Sequence, residues 1–362
     1  MGNPPLERIA VNSLNCPSAF SPQPSTPGWS EPRLNRSWLP KVERLKFLPF
    51  LLLALLCLAI TACAETNEER SLVLVIGAAG EPEYGRQFSA WADLWKQAAV
   101  KGRLQSFVIG EDKENPEQDR ARLLGRLTNE AAKPYGELWL VFIGHGTYDG
   151  RTAKFNLRGP DISADDLAAV LKPAKRQLAV INCASASGPF INALSAPGRV
   201  IITATRSGNE VNVTRFGGYF AQAIADPAAD LDKDGQISLL EAFLFASREV
   251  AQFYQEAGRL ATEHALLDDN GDGLGTPADW FRGVHAVRSS ANGKLVDGIR
   301  AHQLNLIRSP VEQDLSAEAR SKRDELEKEL GVLRLRKGNM DENEYYRQLE
   351  TLLLEIAKIY KN

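Results

Sequence analysis

Two short apolar runs, each ending at a reactive side chain, limit this chain more than anything else in it. The first is Glu137–Ile143, followed by Gly144-His145-Gly146; the second is Gln177–Asn182, followed by Cys183-Ala184-Ser185. Runs of this length, rich in Val, Ile and Leu, read as strands buried on both faces. The helical pattern between them, Ala164–Leu171, makes a right-handed crossover the natural link, so the strands lie side by side and parallel. Their carboxyl ends then carry His145 and Cys183 to the edge where open α/β sheets place their ligands. A thiolate is a nucleophile that a nearby imidazole can activate, and the imidazole can also protonate a leaving group, so the pair points to nucleophilic catalysis. The plain alternative is a core Cys and a loop His, because free Cys is among the most buried residue types.

Ile143-Gly144-His145-Gly146, followed by Cys183-Ala184-Ser185-Ala186-Ser187-Gly188, resembles the legumain-like (asparaginyl endopeptidase) branch of the caspase-fold cysteine peptidases, over residues 71–254. The resemblance implies an α/β fold of caspase type, a doubly wound, mostly parallel sheet with helices on both faces. It implies His145 as general acid/base, Cys183 as nucleophile, and an oxyanion hole from the backbone N–H groups of Gly146 and Cys183. The family's His-orienting Asn falls at Ala79 here, so the third member is missing or comes from elsewhere, a backbone carbonyl being one source. Arg86 resembles the family's substrate-pocket arginine, Glu210 matches its pocket carboxylate, and Thr205-Arg206-Ser207 its wall. Arg86 with Glu210 would satisfy both the acceptor and the donor of a side-chain amide, which implies cleavage after Asn or Asp. Arg86 reads equally well as a solvated charge at a helix start.

Other strands and helices fit the same architecture. Residues 71–77 read as a buried strand, 88–100 as a helix with Trp91 and Trp95 on one face, 104–109 and 199–204 as strands, and 117–132 as a helix. Residues 154–157 form a small hairpin arm. Gly77-Ala78-Ala79-Gly80 lacks the Gly-x-Gly-x-x-Gly fingerprint, so nucleotide binding is not indicated. A net charge of −3 carries no nucleic-acid footprint, which would be a basic patch. The 362 residues are 44% hydrophobic, enough for a packed core and for two or more domains: a peptidase-like domain over 71–225, a calcium-loop region over 226–285 and a helical hairpin over 310–362.

The stretch Asp230-Leu-Asp232-Lys-Asp234-Gly235-Gln236-Ile-Ser-Leu-Leu-Glu241 fits an EF-hand loop at every diagnostic position. Carboxylates stand at positions one, three, five and twelve, Gly at the sharp turn, and the Gln236 carbonyl at position seven. Hard oxygen donors at this spacing wrap one Ca²⁺. Asp268-Asp-Asn270-Gly-Asp272-Gly-Leu-Gly-Thr-Pro-Ala-Asp279 is a poorer match, with Asp at position twelve and Pro277 against the following helix start. The two loops pair, or act singly. His264, just before the second loop, is read as structural rather than as a ligand, since Ca²⁺ prefers oxygen.

Residues 1–40, rich in Pro, Ser and Asn, read as disordered. Residues 41–62 combine a basic stretch with an apolar run of about 16 residues, short of the ~18–20 of a spanning helix and patterned like a signal peptide. The sequence Leu58-Ala59-Ile60-Thr61-Ala62-Cys63 resembles a bacterial lipoprotein box with Cys63 as the acylated residue; an uncleaved anchor is the alternative. Either way the remainder is exported, held at the cell envelope by a membrane anchor, and about 40 residues ahead of the basic stretch suggest a later translation start. Of the four cysteines, Cys16, Cys57, Cys63 and Cys183, processing and acylation would leave Cys183 as a lone free thiol.

At the other end, 316–336 reads as a helix with Leu326, Leu330 and Leu333 on one stripe. Asp341 opens a second helix in a capping-box arrangement with Glu344. The leading expectation is an exported, lipid-anchored cysteine endopeptidase acting on a peptide or protein, with bound Ca²⁺. The alternatives are a catalytically silent calcium-binding module that binds a partner, and a transpeptidase sharing the same acyl-enzyme.

Overall fold

Alternation along the strands generates the architecture. In the computed structural model, residues 69–111, 115–288 and 297–361 are described. Five parallel strands form the centre: β1 (Arg70–Ile76), β2 (Gln105–Ile109), β3 (Glu137–Ile143), β7 (Gln177–Asn182) and β8 (Arg199–Thr203). Short β4, β5 and β6 (Gly146–Tyr148, Ala153–Phe155, Ile162–Ser163) form a separate antiparallel arm. β9 (Leu266–Asp268) adds antiparallel to β8, and β10 (Thr276–Pro277) adds to β9, giving the order β10-β9-β8-β7-β3-β1-β2. The fold is thus α/β with a mostly parallel sheet, as the sequence implies, and the second cation loop lies within the sheet, between β9 and β10.

Period two sorts the strand side chains between two cores. Leu72, Leu74, Val141, Ile143, Ala179, Ile181 and Ile202 face α1 (Pro82–Lys101), α5 (Phe216–Ala223) and α6 (Leu239–Glu256). Val73, Val75, Leu140, Phe142, Val180 and Ile201 face α2 (Asp119–Ala131), α3 (Ala164–Leu171) and α4 (Pro189–Leu194). Helix α1 begins six residues before the apolar pattern does, because Pro82 sits in its first turn, where a missing N–H costs nothing and the fixed φ suits the helix. Helix α3 has the predicted bounds, closed by a Ser163–Asp166 capping box.

After β10 come α7 (Ile299–Gln303), α8 (Pro310–Asp314), α9 (Ala317–Arg336) and α10 (Glu342–Ile359). Leu326, Leu330 and Leu333 are the buried stripe of α9, as the spacing requires, and Asp341 caps α10 by accepting the Glu344 N–H. The amino ends of the sheet are held by a buried ion cluster. Glu137 accepts from Arg70 Nε (2.9 Å), from Trp139 Nε1 (3.0 Å) and from Arg308, while Arg70 also donates to the carbonyls of Gly102 and Asn305. Burial opposes ionisation of Glu137, but the charges of Arg70 and Arg308 and the donated hydrogen bonds outweigh it and hold the carboxyl at about 2.

The disordered stretch, the signal peptide and the acylated Cys63 lie outside the described residues. Among the described residues no helix is long and apolar enough to cross a membrane.

Candidate active site and cation loops

His145 and Cys183 follow adjacent parallel strands, and both belong to the face that packs on α1. His145 Nε2 lies 3.1 Å from the carbonyl oxygen of Ala79, so a backbone carbonyl stands where the resemblance puts a side-chain amide. In the neutral tautomer that donates this bond, Nδ1 is left as the acceptor. The half-buried ring is met edge-on by Tyr84 (centroids 5.1 Å apart) and Phe88 (5.2 Å).

The thiol is elsewhere. Cys183 N–H donates to Phe142 O (3.0 Å), so this residue still continues the β7 ladder, and its side chain keeps the alternation of Ala179 and Ile181. It therefore enters the core and is 1% exposed. It lies against Gly217 of α5, where an added Cβ would stand 3.2 Å from Sγ. Burial pushes the thiol up to about 12, and the carboxylate of Glu263 adds to the shift. Glu263 is itself buried, accepting from the N–H groups of Arg215 and Phe216 at the start of α5. The expectation that Cys183 presents a nucleophile at the sheet edge meets a thiol held in the core, because the alternation of Ala179 and Ile181 carries past the end of β7.

The side chain that reaches the His145 loop is Ser185. Its Oγ accepts from Gly146 N (3.1 Å) and donates to Gly146 O (3.0 Å). The turn that brings it there is made by Ala186 at φ +53°, with its N–H on Glu210 O (2.8 Å). The expected oxyanion hole is corrected by the same contacts. The Gly146 N–H is engaged by Ser185 and the Cys183 N–H by Phe142, so neither is presented to a substrate oxygen.

The expected amide pocket is not assembled either. Glu210 Oε1 lies 2.6 Å from His264 Nδ1 and 3.2 Å from Arg206 Nε, and Oε2 accepts from Arg206 N (2.9 Å) and His264 N (3.2 Å). The carboxylate thus closes its own loop onto His264, 54 residues away. Arg86 is exposed on the first turns of α1, and among the described residues no bond joins it to Glu210. Ser207 serves the turn, its Oγ accepting from Asn209 N (3.3 Å). His264 was legible only as a residue next to an acidic loop; nothing in the sequence paired it with Glu210.

The first acidic loop gathers its carboxylates and ties them to its own backbone. Asp230, Asp232 and Asp234 bring carboxylate oxygens within 4.8 Å of one another, and carboxylate oxygens of Asp232 and Glu241 lie within the same distance of each other and of a ring nitrogen of His302. Asp230 Oδ2 accepts from Gly235 N (3.2 Å), with Lys233 and Gly235 at positive φ. Glu241 Oε1 accepts from Leu231 N (2.7 Å) and Asp232 N (3.4 Å), and Oε2 from the Ser238 hydroxyl (2.8 Å). Gln236, at position seven, hydrogen-bonds Asp234 Oδ2 through its own amide (3.0 Å).

The second loop repeats this arrangement with one exchange. Asp268 Oδ2 accepts from Gly273 N (3.3 Å), Asn270 Oδ1 from Asp272 N (2.8 Å), and Gly271 and Gly273 take positive φ. The expected twelfth residue, Asp279, instead points to solvent, its side chain 66% exposed and 3.6 Å from Arg288. Its place is taken by Asp297. Asp297 Oδ1 accepts from Asp269 N (2.9 Å) and Asn270 N (3.1 Å), and Oδ2 from the Thr276 hydroxyl (2.5 Å). These three donors occupy loop positions two, three and nine, the same that Glu241 engages in the first loop. Pro277 and the β10 pairing turn the chain away before position twelve, which is why the contiguous motif fails there.

Comparison with solved structures finds matches of low similarity, caspases among them. The Drosophila initiator caspase Dronc is similar at 14% identity and a TM-score of 0.38, over 57% of this chain and 82% of that one. Caspase-1 from Spodoptera frugiperda is similar at 8% identity and a TM-score of 0.35, over 57% and 88%. Protein GSU0716 from Geobacter sulfurreducens is similar at 12% identity and a TM-score of 0.34, over 50% and 89%. At these values the likeness extends to neither activity nor substrate. No family model matches the sequence, and no curated protein matches it. The finer likeness to the legumain branch rests on the motifs alone.

Proposed function

We propose that this chain is a catalytically silent, calcium-binding module of caspase-like fold that docks a peptide or protein at the carboxyl edge of its sheet. One observation carries the reading: the only described cysteine is 1% exposed beneath α5, and a satisfied serine hydroxyl fills the place beside the His145 loop. Peptides with a reporter group after Asn or Asp test it, with wild type and Cys183→Ala compared with and without chelator. The expected result is no turnover above buffer in any arm. Turnover that Cys183→Ala abolishes would restore the second reading, a cysteine endopeptidase or transpeptidase, which the placement of His145 and Cys183 after adjacent strands supports. That reading requires the thiol to leave the core.

The two loops supply the calcium reading. Their carboxylate, amide and carbonyl oxygens suit a hard divalent cation. Asp230, Asp232, Asp234, Gln236 (through its carbonyl) and Glu241 would hold one ion; Asp268, Asn270, Asp272 and Asp297 would hold a second. Bound calcium supplies the positive charge that these crowded carboxylates need to stay together. Calorimetric titration of the full chain separates the ligand sets. Wild type is expected to take up two ions, Asp279→Asn also two, and Asp297→Asn one. Loss of an ion in Asp279→Asn but not in Asp297→Asn would return position twelve to the contiguous motif.

The lipoprotein-like segment supports attachment of this module to the envelope membrane through a lipid on Cys63. A mature amino terminus at Cys63 carrying acyl mass is the corresponding observation.

A further inference from the structure

We propose that residues 297–309 form a strap that couples cation occupancy of both loops to docking of the α9–α10 hairpin. The inference rests on the calcium reading and adds a regulated element to it.

The segment is fixed to the sheet by Arg308 on Glu137 and by the Asn305 carbonyl under Arg70, and most of its other hydrogen bonds lead to a loop or to the hairpin. Asp297 closes the second loop through the three donors described above. The N–H groups of Gly298 and Ala301 donate to Asp269 Oδ2 (3.0 and 2.8 Å), the loop's second residue. One turn later, His302 Nε2 lies 2.8 Å from Asp232 Oδ2, an oxygen of a first-loop carboxylate. Leu304 O accepts from Leu239 N (2.9 Å), Asn305 bridges Ser238, and Ser309 N donates to the Gln236 side chain (3.1 Å). The strap therefore touches the first loop at positions three, seven, nine and ten and the second at positions two, three and nine.

Ala301, Leu304 and Leu306 enter the main core, and Gln303 and Ile299 meet the hairpin. Gln303 Nε2 donates to Asp324 O (2.9 Å) and Glu327 Oε2 (3.0 Å) of α9. Ile299 lies where a Cβ on Gly331 would come within 2.6 Å of it, so α9 presses directly on α7. Around that contact the fit is open. A cavity of about 320 Å³ beside that contact is lined by His302 of the strap and by Leu330 and Arg334 of α9, among others.

The coupling has a simple electrostatic origin. Without a cation, like-charged carboxylates within a few ångströms repel, and the loops relax apart. Asp232 and Asp297 are at once loop carboxylates and strap anchors, so relaxation at either loop pulls on the same short helix. Two sites that share one element bias each other reciprocally.

Hydrogen exchange on the full chain, with excess Ca²⁺ or with EGTA, tests the strap, alongside calorimetry on the same sample. Chelation is expected to speed exchange of the α9 and α10 amides tenfold or more while those of β1 and β3 stay protected. Asp272→Asn, which alters the second loop alone, is expected to weaken calcium at the first loop about fivefold. Gln303→Ala is expected to raise hairpin exchange with Ca²⁺ present and to leave calcium affinity unchanged. Calcium uptake with unaltered hairpin exchange overturns the strap alone. No uptake of calcium overturns the calcium reading and the strap with it.

Discussion

Alkylated with iodoacetamide at pH 8, native Cys183 will react about a thousandfold more slowly than free cysteine. The factor is the ratio of thiolate populations: roughly one in ten thousand for a thiol near 12, against roughly a quarter for an ordinary thiol near 8.5. Steric closure under Gly217 slows the reaction further, so the factor is a lower bound. The readout is mass spectrometry of the Cys183 peptide, which separates it from the amino-terminal cysteines. In guanidinium the rate should return to that of free cysteine. A native rate within tenfold of the free value would mean that the thiol visits solvent, and the endopeptidase reading would then displace the silent one.

The second large effect is expected at Glu137. Replacing it with Gln keeps the volume but leaves Arg70 and Arg308 without their shared carboxylate. Removing one partner of a buried ion pair costs about 3–5 kcal/mol. The pH dependence gives the same scale. Glu137 sits at about 2 when folded, against 4.5 for the ordinary group, worth about 3 kcal/mol by linkage. Because the folded value is depressed, this stability is fully present above pH 4.5 and is lost as pH falls towards 2. Denaturation of wild type and Glu137→Gln should therefore differ by about 3 kcal/mol at pH 7, roughly 10 °C in midpoint for a domain of this size. The gap should close in acid. A constant gap down to pH 2 would assign the loss to packing rather than to charge.

The legible parts of this molecule are those set by local pattern. The strands β1, β3 and β7, the helix α3 and the turn of the first acidic loop all follow from period, capping and residue spacing within about 20 residues. What the sequence hid are contacts between distant segments. Asp297 completes the second loop from a separate stretch, and the motif scan could place position twelve only at Asp279. Glu210 closes on His264 rather than opposing Arg86. The Glu137–Arg70–Arg308 cluster spans nearly the whole described chain, and its carboxylate reads locally as nothing more than a strand start. At Cys183 the error was smaller and more instructive. Alternation from Ala179 through Ile181 already assigned this side chain to the α1 face, but the motif drew attention to the loop instead. Ser185, two residues on, is the first polar side chain past the end of the ladder.

The margins of the sheet are unequal. On one side the last strand, β10, is two residues long and includes Pro277, which has no N–H to offer another chain. On the other, β2 is five residues long, with Gln105 and Ser106 exposed. Any self-association or peptide capture that proceeds by extending the sheet is therefore confined to the β2 margin, away from both cation loops, where polar side chains make an unselective aggregate less favourable.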